Sequence, residues 1–375
     1  FEVAARGQGS GIGSHPAFTA SAAAAGREVA SEHLREIHGH QQAIAHALNW
    51  VGENVKTLRL IGIGHRVVHG GPTRRRPALI TPGLLQELEA LCPLAPHHQP
   101  HNLAAIRAVA ATAPDLPQVA CFDTAFHASQ HRVARMLPLP ASLRDKGMQR
   151  YGFHGLSYEF ITQSLPSYND GSLPQRLIVA HLGNGASLCA IRDGHSVATS
   201  MGFSTLDGLL MGTRCGSIDP GVLLHLMREQ KMDEKALSQL LYNESGLLGV
   251  SGISANMQVL LNSDAPAAAE AVELFCYTLV RAIGSMAAAL QGVDGLVFTG
   301  GIGEHAGMVR EQVCAQLGWL GVDFDAAANA AGVSRISSPD SDIKVWVIPT
   351  DEELVIAMHT AALVGQQPAP ASDSG

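Results

Sequence analysis

Apolar residues gather in short runs separated by stretches of helical period, and this alternation predicts an α/β fold. Leu58 to Ile63, Val119 to Phe122, Arg176 to Leu182, Gly295 to Phe298 and Ile343 to Ile348 read as strands. A hairpin is expected over Ser187 to Ile191 and Ser196 to Ser200, turning at Asp193-Gly194. Helices are expected over Pro82 to Leu91, with Thr81 as N-cap, over Asn102 to Thr112, from Asp219-Pro220 to about Gln230, and from Asp233 onward. The longest helical pattern runs from Ala265 to Gln291 with Asp264 as its cap; its Ala and Leu content points to core or dimer packing. A helix is expected to follow Glu304, to about Gln316, and a last one from Glu352 to Val364. The Pro/Ala/Ser-rich tail, 366–375, reads as disordered.

Composition narrows the class. At roughly 100–200 residues per domain, 375 residues suggest two domains. With 46% hydrophobic and 15% charged residues the chain is globular. A net charge of −8 argues against a general nucleic-acid binder. No apolar run approaches the roughly 18 residues that span a bilayer, so no membrane segment is expected. The first 13 residues have no signal-peptide core. Six scattered cysteines without a C-x-x-C pair fit a reduced, cytoplasmic protein.

Two strands empty into glycines, at His181-Leu182-Gly183-Asn184-Gly185 and at Thr299-Gly300-Gly301-Ile302-Gly303-Glu304. Such turns let backbone N–H groups approach phosphate, or are ordinary tight turns. Neither is a Walker loop or a G-x-G-x-x-G fingerprint. Arg66, Asp123, His154 and Arg214 also lie in glycine-rich or strand-end settings. Two guanidinium forks, an imidazole and a carboxylate can hold a transferring phosphoryl group, a reaction that needs positioning and charge neutralisation. Each alone also reads as a surface ion pair or capped loop. His97, His98 and His101 have no helical zinc spacing and read as a structural or lining cluster. His38 and His40 lie in a polar helical stretch and read as solvated.

Eight strings occur in one order: GHRVVHGG (64–71), FDTAFH (122–127), RYGFHG (150–155), AHLGNGAS (180–187), MGTRCGSIDPG (211–221), ESGLLGVSG (244–252), FTGGIGE (298–304) and IPTDEELVIA (348–357). Together the chain resembles the acetate kinase family, which includes propionate and butyrate kinases. The resemblance implies a two-domain fold of the sugar kinase, Hsp70 and actin type, a duplicated ribonuclease H-like architecture with an interdomain cleft. Residues 1–128 plus 353–375 would form an N-terminal domain completed by the C-terminal helix, and 129–352 a nucleotide-binding and dimerisation domain. It implies reversible transfer of the ATP γ-phosphoryl to acetate, giving ADP and acetyl phosphate, with magnesium or manganese, in a cytoplasmic homodimer.

By the same resemblance Arg66 binds the acyl carboxylate, and Asp123 is the essential acid, as proton acceptor or metal-orienting group. His154 and Arg214 stabilise the transferring phosphoryl, assisted by Arg66 and His98. His181, Leu182, Gly183, Asn184 and Gly185 embrace the ATP phosphates. Asn256, Met257 and Gln258, with Gly301, Ile302, Gly303, Glu304 and His305, contact the nucleotide. Glu352 holds magnesium. Val68, His97, Phe153 and Thr205 line the acyl pocket, where His97 and Thr205 replace a usual Leu and Pro. Asn256-Met257-Gln258 replaces D-[MFL]-R, His305 replaces the Asn of GIGEN, and Gly155-Leu156-Ser157-Tyr158 replaces GTSH. The family's first strand and its N-A-G-S-S-S loop would precede Phe1; a protein that truly starts there is expected to be a weak or inactive kinase. Two alternatives follow: a propionate or other short-chain acid kinase, and a nucleotide-binding protein of this fold without transfer activity.

Overall fold

The computed structural model describes residues 2–10, 17–22, 27–33, 37, 39–96 and 98–365. His38, His97 and the tail 366–375 lie outside the described residues, as does Phe1. The chain divides into two compact units: 1–122 with 353–375, and 123–352. Residues 123–128 thus group with the second unit.

The first unit opens with an antiparallel meander of β1 (Ala5–Ser10), β2 (Ala17–Ala22) and β3 (Arg27–His33), followed by α1 (His40–Asn54). Sequence patterning gave no sign of these strands, because their alanine, glycine and serine content is poor in β-formers. Only the alternation Phe18, Ala20, Ala22, buried on one face of β2, marks them. Phe18 meets His46 and Trp50 of α1 edge-on, with ring centroids 4.9 and 6.1 Å away. A second sheet holds β4 (Ile63–Val67), β5 (Ala78–Leu79) and β6 (Gln118–Phe122), in the order β4-β6-β5. Between them lie α2 (Pro82–Ala90), capped as expected by Thr81, and α3 (Gln99–Thr112), one turn longer than expected. The strand expected over 58–63 instead begins at Ile63. Leu58, Leu60 and Ile61 are apolar but exposed, and the paired residues are the His- and Gly-containing ones.

In the second unit, two short helices α4 (Arg132–Arg135) and α5 (Ala141–Arg144) precede α6 (Gly155–Ser164). The sheet comprises β7 (Arg176–Leu182), β8 (Ala186–Arg192), β9 (His195–Thr199) and later β10 and β11. The hairpin turns at Asp193-Gly194, both at positive φ, as its sequence demands. Helices α7 (Pro220–Glu229), α8 (Glu234–Asn243), α9 (Gly246–Ser251) and α10 (Met257–Leu261) follow. The 25-residue α11 (Pro266–Leu290) starts from Ala265, without the side-chain cap expected from Asp264. It is long and apolar enough to pass a length-and-hydropathy test for a membrane span, contrary to the sequence reading. Its apolar stripe, including Phe275, Leu279, Ile283 and Leu290, is buried, and the helix packs on β7, β8 and β9, as a core helix does. Then come β10 (Gly295–Thr299), α12 (Gly300–His305), α13 (Gly307–Ala315), α14 (Ala326–Ala330) and β11 (Lys344–Val347). The single helix expected after 304 is broken at Ala306.

Strand order is β11-β10-β7-β8-β9; the first three are parallel, and β8 and β9 run antiparallel. Tyr158, Ile161, Leu177, Val179, Cys189, Ile191, Val297 and Trp346 form one core against this sheet. The chain ends its described course in α15 (Glu352–Val364). It packs in the first unit, where a Cβ at Gly64 would stand 2.3 Å from the side chain of Ile356.

Candidate active site

His154 is set in place by two motifs knitted together. Gly155 N–H donates to Asp123 O at 2.9 Å, and a Cβ at Gly155 would stand 2.2 Å from that oxygen, so only glycine fits. Beneath the turn lies His127, fully buried. Its Nε2 donates to Phe153 O and its Nδ1 accepts from Ser196 Oγ, each at 2.9 Å. Burial pushes His127 down to about 4, and a carbonyl partner requires the proton on Nε2. This support holds Phe153 inward and His154 in the left-handed region, φ 59°, at the N-cap of α6. A non-glycine residue there costs about 1–3 kcal/mol, which the surrounding bonds must offset.

The His154 ring lies 4.3 Å from that of His181, stacked at 24°. His154 Nδ1 bonds Ser187 Oγ, and His181 Nδ1 bonds Ser157 Oγ, both at 2.8 Å. Thr350 Oγ1 donates to Ser157 Oγ at 3.0 Å. From the other side the 211–216 loop delivers Arg214. Gly212 N–H bonds Asn184 O at 3.2 Å, while Leu247 and Leu248 N–H groups hold Met211 O and Gly212 O. Arg214 Nη1 donates to Thr205 O at 3.0 Å. The imidazole and the guanidinium meet at one glycine: a Cβ on Gly185 would stand 3.4 Å from His154 Nε2 and 3.5 Å from Arg214 Nη1.

The second glycine turn runs alongside the first, because β7 and β10 are parallel neighbours with His181 opposite Thr299. Gly300, at φ +76°, would put a Cβ 2.9 Å from Leu182 O. Glu304 Oε1 accepts from Gly300 N–H at 2.9 Å and from Thr350 N–H at 3.3 Å. The buried Arg310 binds Gly303 O and Glu304 O through Nη1 and Asn329 Oδ1 through Nε. A Cβ at Gly301 meets nothing within 4 Å, which leaves its backbone approachable. His305 is exposed and Ile302 half-buried. Asn256 Oδ1 caps α10 by accepting from Gln258 N–H at 2.9 Å; Gln258 Nε2 reaches Asn262, and Met257 is 3% exposed.

In the first unit, Arg66 is an exposed residue of β4, while Val67 beside it is buried. Beyond the strand Gln99 clamps His69: its Oε1 accepts from the backbone N–H at 3.2 Å and its Nε2 donates to the carbonyl at 3.0 Å. Asn102 holds Val68 N–H at 3.1 Å. His98, half-buried, is the N-cap residue of α3. Val68, Phe153 and Thr205 are all buried. Among the described residues no three His, Cys, Asp or Glu gather as a resident metal cage would. Magnesium asks less, one or two carboxylates completed by phosphate oxygens and water. Asp123 and Glu352 fit that donor chemistry. Asp123 lies within electrostatic reach of His127, and Glu352 of Tyr158.

Sequence reasoning missed His127, Ser157, Tyr158, Ser187, Arg310 and Thr350. Two carried a readable signal: Ser157 lies one helical turn after His154, and Ser187 pairs across the hairpin with His181. The others depend on tertiary packing.

The chain is similar to known proteins over most of its length. The acetate kinase of Rhodopseudomonas palustris is 53% identical over 330 residues, covering 87% of this chain and 83% of that protein. That of Nitrobacter hamburgensis is 46% identical over 363 residues, covering 96% and 89%. The crystal structure of Porphyromonas gingivalis acetate kinase matches with a TM-score of 0.87 at 33% identity, over 97% of this chain and 94% of that one. A propionate kinase from Francisella tularensis matches with a TM-score of 0.90 at 32% identity, over 96% and 93%. These structures share the two-domain mixed α/β fold described above. The model of the Acetokinase family matches residues 4–358, and the chain belongs to that family.

Proposed function

We propose that the protein is an acetate kinase, transferring the γ-phosphoryl of ATP to acetate and running the reaction in both directions. The observation that carries this reading is the meeting of His154 Nε2 and Arg214 Nη1 at Gly185, in the turn between β7 and β8. An acetate carboxylate oxygen attacks the γ-phosphorus as the bond to the β–γ bridging oxygen breaks. ADP leaves with that electron pair, and no proton has to move. Charge spreads over the three equatorial oxygens in the transition state, so fixed cationic and N–H donors lower the barrier. His154 and Arg214 serve that role, Arg66 holds the carboxylate, and His98 assists. The 181–185 and 301–305 segments cradle the nucleotide, and Asn256 and Gln258 lie on its adenosine side. Magnesium, on Asp123 and Glu352 with phosphate oxygens and water, neutralises phosphate charge when bound. Six free thiols accord with a reduced cytoplasmic setting. Homodimerisation is part of the same proposal; the outer face of α11 exposes Leu274 and Tyr277, and light scattering on the eluted protein tests it.

Replacing His154 or Arg214 with Ala should lower acetyl phosphate formation, trapped as hydroxamate, by about a hundred-fold or more. Wild-type turnover in either variant refutes the assignment. The Francisella likeness favours a second reading, propionate as acceptor. One methylene in an apolar pocket is worth only about 1–3 kcal/mol. Ranking kcat/KM for acetate, propionate and butyrate decides between them, and turnover with none leaves a nucleotide-binding protein.

A further inference from the structure

Tyr158 carries a hydroxyl into the apolar core of the second unit, and phosphoryl transfer as described gives it no task. Its ring is fully buried among Ile161, Leu165, Val179 and Trp346. Among the described residues, Ser187 Oγ is the one hydrogen-bond partner of its Oη. Ser187 is also fully buried and touches a second group, Nδ1 of His154, at 2.8 Å.

Counting protons fixes the direction of this chain of bonds. Burial raises the Tyr158 phenol well above its ordinary value, so it keeps its proton and needs an acceptor. Ser187 Oγ supplies that acceptor. The hydroxyl of Ser187 then has its own proton to give, and its other neighbour is His154 Nδ1, which must present a lone pair. A neutral imidazole that accepts at Nδ1 carries its proton on Nε2. With the proton on Nδ1 instead, one buried hydroxyl proton, that of Tyr158 or that of Ser187, would have no acceptor within the relay, at a cost of about 1–3 kcal/mol. Flipping the ring by 180° is no escape, because it would turn Cδ2 toward Ser187 Oγ and forfeit the bond that Nδ1 makes there.

We propose that Tyr158 and Ser187 are positioning residues that lock His154 in the Nε2–H tautomer, so that it offers the transferring phosphoryl oxygens a donor and not a lone pair. The proposal rests on the reading that His154 faces the phosphoryl group. It adds that the donor is available from a neutral ring, through a relay seated in the core. Tyr158 stands where the family motif GTSH has its histidine, so the motif itself does not supply the phenolic end of the relay.

The test is long-range proton–nitrogen correlation NMR on the full chain with labelled histidine, assigned by loss of the signal in His154→Gln. Expected in the wild type is an Nε2-protonated ring with an unprotonated Nδ1. In Tyr158→Phe and Ser187→Ala the Nδ1–H form should appear. Their kcat should fall about ten- to a hundred-fold with both KM values held within about two-fold. A purely structural role would lower thermal stability without moving the tautomer signature. An Nδ1–H ring in the wild-type chain overturns the proposal without reference to any variant, as does wild-type kcat in both variants. Full turnover in His154→Gln, with the Nε2–H signature intact in the wild type, would instead remove the role of His154 in transfer and leave the tautomer assignment standing.

Discussion

At the scale of single residues, glycine and histidine divide the labour. Gly155 is required by the oxygen 2.2 Å from where its Cβ would be, whereas Gly185 has ordinary van der Waals room. Gly185→Ala should therefore fold with a melting temperature near wild type. Its methyl, set between the imidazole and the guanidinium, should still reduce kcat by about ten-fold or more; unchanged kcat would place the reacting group elsewhere. The buried histidines have a different consequence. His69 and His127 are both pushed down to about 4 by burial, from an ordinary 6.5. Below about pH 6.5 the unfolded chain takes up protons that the folded chain refuses, so stability is full above that pH and falls steadily toward pH 4. Urea midpoints at pH 7, 6 and 5 should decrease in that order, and a flat series would show that neither ring stays neutral. The motif strings made Arg66, Asp123, His154, His181 and Arg214 legible. They were silent on Tyr158 and Ser187, since a tyrosine among apolar neighbours and a serine on a strand are unremarkable until their hydroxyls meet.

Elements were read well where local chemistry decides and poorly where packing does. Thr81 and Asp233 cap their helices, and Asp193-Gly194 turns its hairpin, because each signal acts within a few residues. The β1–β3 meander escaped because the buried stripe of β2 acquires meaning only against Phe18's partners on α1. The glycine segment after β10 was expected to be a tight turn but forms the short helix α12. Arg310 is the reason that short helix holds its shape, gathering Gly303 O and Glu304 O with one nitrogen and Asn329 with another. Arg310→Met keeps most of the apolar stem and loses the fork. It should cost about 2–3 kcal/mol of stability and raise the KM for ATP more than that for acetate. Equal rises in the two KM values would argue that α12 does not serve the nucleotide.

For the whole molecule, length and the ordered motifs pointed to two domains, and the chain does form two compact units, the first holding two three-stranded sheets and the second one of five strands. Their composition could not reveal that the second holds both glycine turns, His154 and Arg214, because those residues are scattered over more than a hundred positions. Calorimetry should resolve two unfolding transitions, with ATP shifting the one that belongs to residues 123–352. A single transition with equal calorimetric and van't Hoff enthalpies would contradict that independence. Tyr158 binds the two concerns of this unit into one object, since its ring fills the core against β7 and β8 and its hydroxyl reaches toward His154. An engineer seeking a hardier catalyst would look first to such a buried aromatic position for tighter apolar filling. Here that improvement would silence a proton donor, so heat tolerance and speed cannot be tuned apart through this part of the interior.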